Sequence, residues 1–266
     1  MKRHIVGSLL FLALLHGPIL AQESEAPETK GLAIAQEASR RNEGYGDTTV
    51  NLTMELRSSD GRTRQRVLTW QMLEVVDPTE GDKSLTTFHE PRDIAGTGFL
   101  SYTHIRKADD QWLYLPSLKR VKRISSANKS SSFVGSEFAY EDLLSDEVEK
   151  FTYRWLRDEP CEDSICFVVG RKPAYKDSGY GREIVWIDQD YYRIIKTEFY
   201  NLKDELEKTL TLEDYRLYKD KFWRAHVLRM DNIQTGKATV LTFDTYDFQT
   251  GLTEQTFSPE ALKRIR

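Results

Sequence analysis

The 266-residue chain is short of the residues from which most active sites are built. It has two cysteines and five histidines, of which only His89, His104 and His226 lie beyond the N-terminal segment, widely separated. A zinc site needs about four clustered ligands, so no metal centre is expected. The G-x-S-x-G elbow, H-E-x-x-H, a phosphate-cradling loop and a dinucleotide fingerprint are all missing. Their absence argues against the commonest hydrolases, metalloproteases and nucleotide-dependent enzymes, and no cofactor is expected. The glycines of "GTGFL" at 96–100 lack the strand-then-helix context of a phosphate cradle and read as a bulge or close backbone approach. No apolar run reaches the roughly 20 residues that span a bilayer. No Pro-, Gly- or Ser-rich linker and no internal repeat divides the chain.

Positive charge is also in deficit, with 38 Lys and Arg against 42 Asp and Glu. The N terminus carries Lys2, Arg3 and His4, then the apolar run Ile5–Leu15, then Gly17, Pro18 and Ala21. That order predicts a secretory signal over 1–21, cut after Ala21. No cysteine follows the cut, which argues against lipid anchoring there. Removing the signal takes away Lys2 and Arg3 and no acidic residue, so the net charge moves from −4 to −6. Such a protein is a poor nucleic-acid binder, because that affinity comes mostly from phosphate neutralisation. In an oxidising compartment Cys161 and Cys166 are expected to form one disulfide across a tight turn between strands, with free thiols or a metal as alternatives.

What is present is strand after strand. Residues 22–28 read as a disordered lead-in, and 29–42 as an amphipathic helix ended by Gly44 and Gly46. "TTVNLTMELRS" alternates Val50, Leu52, Met54 and Leu56 with polar partners, the period-two pattern of a half-buried strand. Similar runs separated by Asp, Asn and Gly turns continue to about residue 248. "SPEALKRIR" has a Ser258 cap and Pro259 at the first helical position, so a short terminal helix is expected. The fold class is mainly β, a single domain over 29–266 built on one large curled antiparallel sheet. The fillers available for its concave face are the N-terminal helix and the Ala139–Ser145 segment.

Five basic residues, Lys119, Arg120, Lys122, Arg123 and Lys129, fall within eleven positions. In "SLKRVKRIS" the charges occupy both faces, which predicts an edge strand guarded by charge. "SANKSSSFVGS" reads as a flexible loop anchored by Phe133 and Phe138, and as a mobile rim it would contact anionic lipid or a membrane partner. Glu141, Asp142, Asp146, Glu147 and Glu149 read as a solvated helix face. The large aromatics fall on separate strands and suit a core or the lining of an apolar cavity.

The blocks "FHEPRDIAGTGFLSY", "DDQWLYLPSLKRVKRI" and "SSSFVGSEFAYEDL" resemble the signature of the outer-membrane lipoprotein-sorting (LolA/LolB-like) proteins, in the larger branch often found with RND-type transporters. The resemblance is strongest over residues 85–145. It implies a half-open β-barrel with helices over its concave face, and a non-enzymatic periplasmic carrier of lipid or lipoprotein acyl chains. The alternative is an accessory module of an RND-type transporter. Trp112, Tyr114, Pro116, Phe133, Gly135, Phe138, Glu141 and Asp142 are the positions that carry the signature. Trp70, Phe99, Trp112, Tyr114, Phe133 and Phe138 are the expected cavity residues, and the five basic residues the expected membrane or partner contact.

Overall fold

The computed structural model describes residues 25–265 apart from 78, 162 and 163, and apart from the side chain of Ser126. The signal expected at 1–21 lies outside the described residues. Helix α1 spans Pro27–Asn42. It begins two residues earlier than its apolar spacing suggests, because Pro27 sits in the first turn, where a missing N–H costs nothing.

The strands are β1 (Asp47–Arg57), β2 (Thr63–Leu73), β3 (Glu80–Glu90), β4 (Gly98–His104), β5 (Asp110–Leu115), β6 (Arg120–Ile124) and β7 (Phe151–Cys161). They continue as β8 (Ser164–Pro173), β9 (Tyr180–Asp188), β10 (Ile194–Asn201), β11 (Leu206–Tyr218), β12 (Phe222–Asn232), β13 (Lys237–Phe243) and β14 (Asp247–Phe248). They form one 14-stranded sheet in the order β6-β5-β4-β3-β2-β1-β13-β12-β11-β10-β9-β8-β7, with β14 beside β1. The chain lays down one meander, β1 to β6, and a second, β7 to β13. The two join where β1 pairs antiparallel with β13, from Leu52 opposite Phe243 to Arg57 opposite Ala238. The sheet is not closed into a barrel: β6 and β7 stand at its two ends.

Alternation along the strands gives the sheet two different faces. On one, Val50, Leu52, Met54, Leu68, Phe88, Phe99, Leu113, Phe199, Met230, Leu241 and Phe243 form the main core. On the other, Leu85, Leu100 and Tyr114 pack under Phe257 and Leu262. Leu262 ends helix α2 (Pro259–Leu262), whose Ser258 cap accepts from the Ala261 N–H at 3.1 Å. Gly98 is the place of close approach: a Cβ there would stand 2.4 Å from Ile265 and 2.8 Å from Leu262. This is the reason for glycine in "GTGFL". Helix α1 rests on the backbone of β7, where a Cβ on Gly31 would meet the Trp155 nitrogen at 2.6 Å. Its Ile34 packs with Tyr153, Val169, Val185 and Ile187. Cys161 and Cys166 form a disulfide that closes the β7–β8 hairpin.

Candidate functional site

The connection from β6 to β7, residues 125–150, contains three single 3-10 turns and one isolated bridge, Ser132 to Ala139, but no strand. Expected as a flexible loop, its middle is instead part of the core. Phe133 is 1% exposed, and Phe138 and Tyr140 are buried with it. The local reason is a tight reversal. Val134 and Gly135 both take positive φ, 49° and 78°, and the Phe133 N–H donates to the Phe138 carbonyl at 2.7 Å. The two phenylalanines thereby turn the same way and enter the main core. The Phe133 ring lies 5.8 Å from Phe88, 5.1 Å from Phe99 and 5.6 Å from Tyr140, at tilted or edge-on angles. Burying such rings contributes roughly 2–3 kcal/mol each. The segment is a plug on the apolar face of the sheet.

A buried irregular backbone must find hydrogen-bond partners outside a strand ladder, and here side chains supply them. Gln111 donates to the Tyr140 carbonyl at 2.8 Å. Asp142 accepts from the Ala139 N–H at 2.7 Å, the Tyr180 hydroxyl at 2.7 Å and Lys208 Nζ at 3.1 Å. Lys208 also donates to the Glu137 carbonyl at 3.1 Å. Glu141 accepts from the Gly179 N–H at 2.8 Å, the Ser178 hydroxyl at 2.8 Å and the Tyr175 hydroxyl at 3.1 Å. Burial pushes the Glu141 carboxyl above the usual carboxylate range. At the far end of the plug Arg171 bridges Asp146 and Glu183, each at 2.7 Å. Glu183 shares that guanidinium with a second acid, and burial pushes it up to about 7. Lys150 pairs with Asp109. The acidic cluster therefore includes two buried latches, Glu141 and Asp142, where a solvated helix face was expected. Apart from the Ala139 N–H, the partners that satisfy them stand 34 to 66 positions away in sequence, beyond any local signal.

The expected cavity residues divide between the two faces. Trp70, Phe99, Phe133 and Phe138 line the plug face. Trp70 packs 6.0 Å from Phe243, and its buried indole N–H has no partner among the described residues. Trp112 and Tyr114 point to the opposite face, packed in the cluster with Phe257 and Leu262. The reason is parity: Leu113 pairs with Phe99 and shares its face, so Trp112 and Tyr114 on either side cannot. The basic residues divide too. Lys119, Arg120, Lys122 and Arg123 are exposed on the edge strand and the turn before it, and Arg123 pairs with Asp110. Lys129 is buried, its Nζ 3.9 Å from the Tyr175 ring centre, and burial pushes its pKa down. It belongs to the plug, so a surface role with the other four is corrected. Two surface hollows are present among the described residues, one lined by Arg229, Asp231 and Lys237, the other by Arg182, Asn201 and Asp204.

Known proteins share this architecture. A family model described as "Uncharacterized protein" matches residues 80–264. No curated protein matches the chain. Among solved structures, a domain from Vibrio parahaemolyticus assigned to outer membrane lipoprotein sorting is 50% identical, with a TM-score of 0.87 over 89% of this chain and 100% of that one. A DUF1329 family protein from Desulfovibrio piger is 25% identical, with a TM-score of 0.84 over 89% and 99%. A LolA superfamily protein from Nitrosomonas europaea, at 20% identity and a TM-score of 0.68 over 87% and 98%, shares the fold. On the signature blocks, the sheet and the 50% identity to the Vibrio domain together, the chain belongs to the outer-membrane lipoprotein-sorting family.

Proposed function

We propose that the protein is a periplasmic carrier that shields the acyl chains of a lipid or lipoprotein on the plug face of its sheet. One observation carries this reading: an open sheet lined by apolar side chains from most of its strands is filled by the rings of a connection rather than by a regular element. In this reading the sheet acts as a half-open barrel, with α1 and the plug over its concave side. Plug and cargo then compete for the same surface. Three buried rings are worth roughly 2–3 kcal/mol each, and ten methylenes about 8 kcal/mol. The exchange is close to balanced, which is what reversible loading requires. It needs no covalent chemistry and no cofactor. The 50% identity to a domain assigned to lipoprotein sorting supports the same reading.

The test is displacement of water from a fluorescent fatty acid by delipidated protein, with native mass spectrometry of protein purified from membrane-containing lysate. Uptake is expected, and Phe133→Ala, which vacates part of the face, is expected to tighten it. Absence of both uptake and co-purified lipid would sink the proposal. The second reading, a periplasmic module serving an RND-type transporter with its face held permanently filled by its own side chains, would be supported by a stable cross-linked transporter without extractable lipid.

A further inference from the structure

We infer that the β5–β6 turn and strand β6 form a docking surface for an anionic phospholipid bilayer. Leu118 stands at the apex of the turn Pro116–Leu118 and is 63% exposed. Lys119 follows it in the left-handed region, φ 49°, and reverses the chain into β6. Lys119, Arg120 and Lys122 are exposed, and none of them makes an ion pair among the described residues. Elsewhere Arg40, Arg62, Arg154 and Arg216 each hold a carboxylate, while single cations such as Arg64, Arg92, Lys172 and Lys203 are exposed without an ion pair among the described residues. This patch differs in setting three such cations within four positions beside an exposed leucine. Guarding an edge strand requires only that charge be present, and a run of one sign with an apolar apex exceeds that need. An exposed leucine ringed by cations is the chemistry of a surface that meets lipid headgroups and the acyl boundary beneath them.

The rest of the sheet supports the same orientation. Antiparallel alternation brings the β10–β11 and β12–β13 turns to the same strand ends as the β5–β6 turn, and they carry Leu202, 74% exposed, and Ile233, 55% exposed. The inference stands apart from the carrier reading, since it concerns where the protein sits and not what it holds.

The mature chain is mixed with vesicles of phosphatidylcholine containing about 30% phosphatidylglycerol, and with pure phosphatidylcholine vesicles, at low and high salt. Sedimentation with the anionic vesicles alone is expected, falling as salt rises. The triple variant Lys119→Glu, Arg120→Glu, Lys122→Glu is expected to lose about 100-fold in partitioning. Leu118→Ser is expected to lose about tenfold, and Leu118→Trp to shift its emission to the blue on anionic vesicles. All these positions are exposed, and circular dichroism with the thermal midpoint checks each fold. A wild-type chain that ignores anionic vesicles, or a folded triple variant that binds them as well as wild type does, would overturn the inference. A triple variant that keeps vesicle binding but loses a cross-link to a membrane protein would assign the surface to an acidic protein face instead. Fatty-acid uptake by the same variants is read separately, so failure here is distinguishable from failure of the carrier reading.

Discussion

Strand β6 and the segment that follows it make an instructive pair. β6 is regular, hydrogen-bonded to β5 from Leu115–Arg120 to Gln111–Ile124, and lies largely at the surface. Residues 125–150 are irregular and serine-rich, yet they place Phe133, Phe138, Lys129 and Glu141 among the buried residues. Regular structure and burial are separate matters. A strand at the sheet edge has its backbone half satisfied by its neighbour and can leave its side chains in water. An irregular segment can be buried when fixed side chains answer its peptide groups, as Gln111, Asp142 and Lys208 do here.

The contrast can be broken from the plug side first. Asp142→Ala removes the counter-ion of Lys208, 4% exposed, together with an acceptor for Tyr180 and for the Ala139 N–H. Stranding a buried charge costs about 3–5 kcal/mol, so urea denaturation is expected to show a loss of that size. Phe133→Ala is expected to cost about 3–4 kcal/mol by the same measurement, since the ring touches three other aromatics. A loss under 1 kcal/mol for both would mean that the plug is not a core element.

A smaller effect is read in the pH dependence. Burial pushes the folded Glu183 carboxyl up to about 7 from its ordinary value of 4.5. Between these values the folded state holds a proton that the unfolded state has released. Stability from this group is therefore full below about 4.5 and falls as pH rises towards 7, by about 3 kcal/mol in all. Glu183→Gln is expected to flatten the stability curve in that window, and an unchanged slope would remove Glu183 as its source. Smallest of all, Lys122→Glu on β6 is expected to shift stability by no more than about 0.5 kcal/mol, because nothing in the core depends on it. A larger loss would mean that β6 is held by more than its ladder to β5.

Much of this was legible beforehand. The edge position of β6 followed from charges on both of its faces, and it is the first strand in the sheet order. The Asp, Asn and Gly turns between strands, the terminal helix capped by Ser258, the glycine at 98 and the disulfide all follow local chemistry. The plug was only half visible. Its phenylalanines announced anchors, but Ser, Asn and Lys between them carry the composition of a solvent loop. The latching role of Glu141 and Asp142 depends on Tyr175, Ser178, Tyr180 and Lys208, which arrive from elsewhere in the chain.

By itself, then, the sequence determined the strand-rich class, the turns, the guarded edge and the family, because periodicity, turn chemistry and signature blocks are local properties. Only the tertiary structure decided which aromatic faces which side, that Lys129 leaves the basic cluster for the interior, and that a serine-rich connection fills the apolar face. Those outcomes depend on register and on partners distant in sequence, and one residue of register exchanges the two faces of a strand.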